Sequence, residues 1–150
     1  MDREQSRPDL SGLLTDTEAA PNAPRALTVI SVCTICKSGE AGAPGPLLLH
    51  ELRKTIAENN GDVRVRAAQC LGVCKRPATV AVSSDGGYTF VFGDLSPEAG
   101  ADALAAFVRA YRKSSYGLVP WRQRAEILRK GMIARIPPAN WPPEDGCAPT

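Results

Sequence analysis

The chain has 150 residues, 43% of them apolar and 23% charged, with a formal net charge of +2, a balance ordinary for one globular domain with its own core. No apolar run approaches the roughly 20 residues of a membrane-spanning helix, and the start, Met1-Asp2-Arg3-Glu4-Gln5, lacks the basic-then-apolar pattern of a secretory signal, so a cytoplasmic protein is expected. The charge is uneven: from Arg109 to Arg135 eight basic residues (Arg109, Arg112, Lys113, Arg122, Arg124, Arg129, Lys130, Arg135) stand against one acid, Glu126. Such a run reads as a solvated helix face or a docking surface for an acidic protein; no nucleic-acid motif accompanies it.

Residues 1–25 mix charges with Pro8, Pro21 and Pro24 and show no sustained period, the composition of a loosely held arm. Ala26-Leu27-Thr28-Val29-Ile30-Ser31-Val32 is apolar and β-branched and predicts a buried strand ending on Cys33. The Gly- and Pro-rich stretch from Lys37 to Pro46 predicts a loop. Pro46 then suits the first turn of a helix whose inward stripe is Leu48, Leu49, Leu52 and Ile56, with Gly61 placed to end it. His50, the sole histidine, is a polar helix position with no cysteine near it in sequence, and reads as structural.

Val63-Arg64-Val65-Arg66-Ala67-Ala68 alternates, with valines on one face and arginines on the other, and predicts a half-buried strand running into Gln69-Cys70. Strand, helix and strand in this order imply a right-handed crossover and two parallel strands. The segments 78–83 and 88–92 flank Asp85-Gly86-Gly87, a hairpin signal. Ser96-Pro97-Glu98 marks the start of a second helix with Leu104, Phe107, Val108 and Tyr111 inward. The expected fold is α/β and thioredoxin-like: a four-stranded mixed sheet in βαββα order over residues 26–116. A helical extension follows over 117–138, with a helix near Trp121 to Lys130 and with Trp121, Leu128 and Ile133 folding it back onto the domain. Residues 139–150 form a Pro-rich tail.

The chemistry lies in the cysteines: Cys33-Thr34-Ile35-Cys36 and, after a gap of 33 residues, Cys70-Leu71-Gly72-Val73-Cys74. Parallel strands end on the same side of a sheet, so both pairs are expected at one sheet end, the usual place for a ligand in α/β proteins. In a reducing compartment close cysteine pairs are metal ligands or redox groups rather than bridges. Three uses are open. A 2Fe-2S cluster takes two thiolates per iron from two loops, with backbone N–H groups of the short spacers aimed at sulfur and Lys37, Lys75 and Arg76 offsetting charge. Structural zinc takes four thiolates too, though usually with a shorter spacer and two x2 pairs. A redox dithiol at Cys33/Cys36 would want a helix starting at the motif, where this chain has a Gly/Pro loop, and would leave Cys70 and Cys74 unexplained. Cys147, in the tail, reads as a free thiol with no role.

The spacing Cys-x2-Cys followed by Cys-Leu-Gly-Val-Cys-Lys-Arg-Pro, residues 70–77, resembles the thioredoxin-like 2Fe-2S ferredoxins. More narrowly, the chain is similar to a bacterial family of small predicted metal-binding proteins of unassigned function. The segments Phe90-Val91-Phe92-Gly93-Asp94-Leu95, Gly117-Leu118-Val119-Pro120-Trp121 and Ile133-Ala134-Arg135-Ile136-Pro137-Pro138 carry that likeness. The first spacer is shorter than in many of the wider ferredoxin group. The resemblance implies a cluster bound by Cys33, Cys36, Cys70 and Cys74 and an electron carrier rather than an enzyme. Its partners would be a reductase and an acceptor enzyme, with a second copy of the chain as a further candidate. Members of the narrow family tend to accompany cobalamin-biosynthesis genes, which implies service to that pathway; a zinc-binding or metal-handling adaptor is the alternative.

Overall fold

The structure is a computed structural model that describes residues 27–37, 42–59 and 62–141. The expected N-terminal arm, Gly61 and Cys147 lie outside the described residues.

Strand β1 (Thr28–Cys33) leads to helix α1 (Gly45–Asn59) and strand β2 (Val63–Ala68), and β2 pairs parallel to β1 from Thr28↔Val63 to Cys33↔Ala68. Strands β3 (Val80–Ser84) and β4 (Thr89–Phe92) form the antiparallel hairpin, helix α2 spans Pro97–Lys113, helix α3 Glu126–Lys130 and strand β5 Met132–Ile136. The mixed sheet runs β2-β1-β3-β4-β5, with every pair but β1–β2 antiparallel. The leading βαβ unit followed by ββα is the thioredoxin-like order that the strand, helix and turn signals imply.

The period of two along the strands decides which face is covered. Ile30 and Val32 of β1, Val80 and Val82 of β3 and Phe90 and Phe92 of β4 are all 0% exposed and form one face of the sheet. Across it lie Leu48, Leu52 and Ile56 of α1 and Leu104, Phe107, Val108 and Tyr111 of α2. Each such side chain contributes about 1.5–3 kcal/mol on full burial. Phe107 stands edge-on to both Phe90 and Phe92 at 5.1 Å between ring centroids. The Tyr111 hydroxyl donates to the Tyr88 carbonyl at 2.6 Å, which satisfies the one polar atom of an otherwise apolar helix stripe.

Local signals account for the helices. α1 carries its leucines at helical spacing and makes its first i→i−4 bond from Leu48 N–H to the Pro44 carbonyl, at 3.1 Å. α2 has Ser96 at the N-cap position, Pro97 next to it, Glu98 in the first turn and Arg112 and Lys113 in the last, complementing the helix dipole. The Ser96 side chain itself makes no capping bond; the Ser96 carbonyl accepts from Gly100 N–H at 2.8 Å.

Two expectations for the C-terminal part are corrected. The sheet has five strands rather than four, because residues 132–136 leave α3 and pair antiparallel with β4, with an irregularity between Val91 and Phe92. The segment expected to be one helix from Trp121 to Lys130 is a 3-10 turn at Trp121–Gln123 and a separate short helix at Glu126–Lys130. Leu128 is fully buried and anchors the extension, whereas Trp121 is 54% exposed. Trp141 meets both Tyr88 and Tyr116 edge-on, at 5.0 and 5.1 Å, so contact with the domain continues into the segment assigned to the tail. The basic run is not one solvated face. Arg124 is buried and its Nε and Nη2 both donate to the Val119 carbonyl, at 3.0 and 2.9 Å, while Arg112 pairs with Asp62 and Lys130 with Glu126.

Candidate metal centre

The register Cys33↔Ala68 puts the carboxyl ends of β1 and β2 side by side. The chain leaving β1 carries Cys33 and Cys36. The chain leaving β2 carries Cys70 and Cys74 and must cross the end of β1 to reach β3, because β3 lies on the far side of β1. Thr34 N–H ties the two loops where they start, donating to the Ala68 carbonyl at 3.0 Å, and Cys33 N–H donates to the Thr79 carbonyl at 2.9 Å. The expected convergence of the two cysteine loops at one end of the sheet is therefore what the fold produces.

The two pairs sit in different surroundings. Cys33 and Cys36 are buried, at 1% and 4% exposure, and their sulfurs lie 3.0 Å apart. Cys70 and Cys74 are exposed. Gly72 N–H donates to the Cys70 sulfur at 3.2 Å. The Cys33 Sγ also lies 3.7 Å from the Gln69 carbonyl oxygen, next to Cys70, so the first pair touches the second loop there. Burial pushes the Cys33 thiol up, but hydrogen bonds from the Cys36 thiol and from the backbone N–H groups of Ile35, Cys36 and Leu71 outweigh it, and the net shift is downward. Cys36 is the other half of the pair. Donating its proton to Cys33 holds it on, and burial and the neighbouring charges of Cys33 and Cys74 add to this, so its thiol is pushed up to about 12.

The N–H groups aimed at sulfur were expected from the short spacers; those of Ile35, Cys36 and Leu71 converge on Cys33 and that of Gly72 serves Cys70. Gly72 has φ +80, the left-handed region, with nothing within 4 Å of where a Cβ would stand. It is glycine for the turn and not for want of room. Gly45 is the opposite case. A Cβ there would run into the Cys33 carbonyl oxygen, with the Cys33 carbonyl carbon at 2.9 Å and Thr34 Cα at 3.0 Å, so α1 starts directly against the first cysteine loop.

Among the other residues that shape the site, Thr79 carried no chemical signal in the sequence. Thr79, fully buried, holds the second loop through its hydroxyl, which reaches the Arg76 carbonyl at 3.0 Å and the Val73 carbonyl at 3.3 Å. Arg76 does not project over the cysteines as a free cation; its Nε donates to Asp94 Oδ2 at 2.8 Å and its Nη2 to the Lys130 carbonyl at 3.2 Å. Lys37 and Lys75 remain exposed beside Cys36 and Cys74, and Ile35, between the first two cysteines, is 52% exposed. His50 is exposed on α1.

The thiols fit a metal or cluster by donor type and by pairwise contact. Two thiolates on one tetrahedral metal stand about 3.8 Å apart at the usual metal–sulfur distance, so the 3.0 Å pair Cys33/Cys36 reaches that geometry by opening less than 1 Å. Among the described residues no three Cys, His, Asp or Glu side chains already surround a single ion. The sulfur–sulfur contact is Cys33 to Cys36, and Cys33 Sγ reaches the second loop at the Gln69 carbonyl, 3.7 Å away.

Fold and site together define a thioredoxin-like domain with four free thiols gathered at the carboxyl ends of its two parallel strands. The chain belongs to the family described as "Protein of unknown function (DUF1636)", which matches residues 30–138. It is also similar to the solved structure of a thioredoxin-like [2Fe-2S] ferredoxin from Aquifex aeolicus, at 13% identity over 77% of this chain and 98% of that one, with a TM-score of 0.49. No curated relative matches the chain. No helix among the described residues is long and apolar enough to cross a membrane.

Proposed function

We propose that the protein is a one-electron carrier whose 2Fe-2S cluster is held by Cys33, Cys36, Cys70 and Cys74. The observation that carries the reading is the meeting of two cysteine loops at one sheet end, one pair buried with its sulfurs in contact and the other exposed. When bound, the cluster would supply a site that gains and loses a single electron. The chain's own residues do the rest. Cys33 and Cys36 hold the inner side away from water, and the N–H groups of Ile35, Cys36, Leu71 and Gly72 offset negative charge on sulfur, favouring the reduced state. The exposed Cys70 and Cys74, with exposed Lys75 next to Cys74, leave a short path to a docked partner.

The protein itself transforms no substrate in this reading; it serves a reductase and an acceptor enzyme in a reducing compartment, the cytoplasm. The resemblance of its cysteine loops and downstream segments makes a corrin-modifying enzyme of cobalamin biosynthesis the first acceptor to test. The decisive experiment is purification without oxygen. A red-brown protein with equal iron and acid-labile sulfide, paramagnetic after one-electron reduction, is expected. A colourless protein with one zinc per chain would refute the carrier and support a zinc-bound adaptor.

A further inference from the structure

We propose that Arg76 is a positioning residue for the exposed cysteine pair, and that the C-terminal extension, α3 with β5, is the anchor against which it holds the second cysteine loop. The inference rests on the cluster reading for the role of Cys70 and Cys74, but not for the clasp itself.

The stretch between β2 and β3 contains no helix or strand, yet it carries half of the ligand set. Ligands on such a loop need a fixed support, since a metal site tolerates displacement of only about 0.5 Å. Arg76 supplies one, two residues beyond Cys74. Its guanidinium fork spans two elements at once, Asp94 Oδ2 at 2.8 Å in the turn after β4 and the Lys130 carbonyl at 3.2 Å at the end of α3. Asp94 answers with its own N–H, which donates to the Arg76 carbonyl at 3.1 Å, so the two residues exchange side-chain and backbone bonds.

The junction is closed from behind. Gly93 N–H donates to the Gly131 carbonyl at 2.8 Å, which ties the turn after β4 to the turn between α3 and β5. A Cβ on Gly93 would come to 2.7 Å from Ile133 Cδ1 and 2.9 Å from both Arg76 Cβ and the Arg76 carbonyl oxygen. The turn is thus wedged between the cysteine loop and the extension with no room for a side chain. A lysine at position 76 could pair with Asp94 but could not also reach the Lys130 carbonyl, because only the planar fork presents several donors in fixed directions.

An ion pair with side chains 35% and 54% exposed adds little to global stability. The effect of losing it should therefore be local, and that separates positioning from a general structural role. In the full-length, metal-free, reduced protein, hydrogen exchange at the Arg76 and Asp94 amides is read by NMR for Arg76→Met, Arg76→Lys, Asp94→Asn and Lys130→Ala. The first three should exchange about fivefold faster at these two amides, with the melting temperature little changed. Lys130→Ala should match the wild type at these two amides, because only its carbonyl enters the clasp and its side chain is engaged elsewhere, in an exposed pair with Glu126.

In the iron-loaded protein, the half-life of the visible absorption against EDTA should shorten by a similar factor in the same three variants. Wild-type exchange in both Arg76→Met and Asp94→Asn would overturn the proposal. So would full recovery in Arg76→Lys, which would reduce the role to charge. Asp94→Asn tests the same bond from its other end should the Arg76 variants fail to fold. A chain that takes up no iron refutes the carrier, while the exchange measurement on the metal-free protein still decides the clasp.

Discussion

Gly45→Ala tests the contact between α1 and the first cysteine loop, because two effects of known size oppose each other there. At an ordinary helix position the change stabilises by about 0.5–1 kcal/mol, since glycine loses more backbone freedom on folding. At this position the new methyl would run into the Cys33 carbonyl, with backbone atoms of Cys33 and Thr34 at 2.9 and 3.0 Å, and no flexible side chain can give way. Overpacking against backbone costs about 1–3 kcal/mol. The net expectation is a loss of about 1–2 kcal/mol, and a domain of this size loses roughly 4 °C of melting temperature per kcal/mol. Thermal unfolding of the metal-free protein, followed by circular dichroism, should therefore shift down by roughly 4–8 °C. The iron-loaded variant should also lose its visible absorption faster, because α1 can retreat only by moving the peptide that carries Cys33. A melting temperature equal to or above that of the wild type would refute the argument and show that α1 has room to adjust.

Gly72→Ala places a methyl in open space but forces an L-residue to φ +80, at a cost of about 1–2 kcal/mol; Gly72→Asn, which tolerates that region, should lose less in a urea titration, and equal losses would contradict the turn argument. The coupled thiols make a pH prediction. An unfolded chain releases the Cys36 proton near its ordinary value of 9.0 while the folded one keeps it to about 12. The folded state then binds more protons in that window, and the stability of the metal-free protein falls as pH rises from about 9 towards 12. Urea midpoints at pH 8 and pH 10.5 should diverge less in Cys36→Ala than in the wild type, and an unchanged difference would count against the shared proton.

The parts of the fold legible in the sequence are those whose signal is local and periodic. β-branched runs gave β1 and β3, alternation gave β2, the leucine spacing gave α1, and Asp85-Gly86-Gly87 gave the hairpin. β5 escaped because an edge strand of five residues exists through pairing with β4, some 40 residues earlier, and its own pattern of two exposed and three half-buried residues is weak. Trp121 looked like an anchor by residue type, yet it is Arg124 that is buried, held by the Val119 carbonyl and lying over the rings of Phe90 and Trp121. Arg76 read as a cation beside the cysteines because its partner carboxylate is 18 residues away and its partner carbonyl 54.

Sequence alone determined the ligand candidates and their shared address. Two cysteine pairs, each directly after a strand of a βαβ unit, must come to one sheet end whenever the strands are parallel, since the crossover returns the chain in the same direction. Tertiary structure decided how unlike the two pairs are. Cys33 and Cys36 are buried beside α1 because Gly45 lets the helix close on the Cys33 peptide, while Cys70 and Cys74 ride on an exposed loop held by Thr79, Arg76 and Asp94. Those contacts join residues far apart in the chain, and only packing brings them within reach.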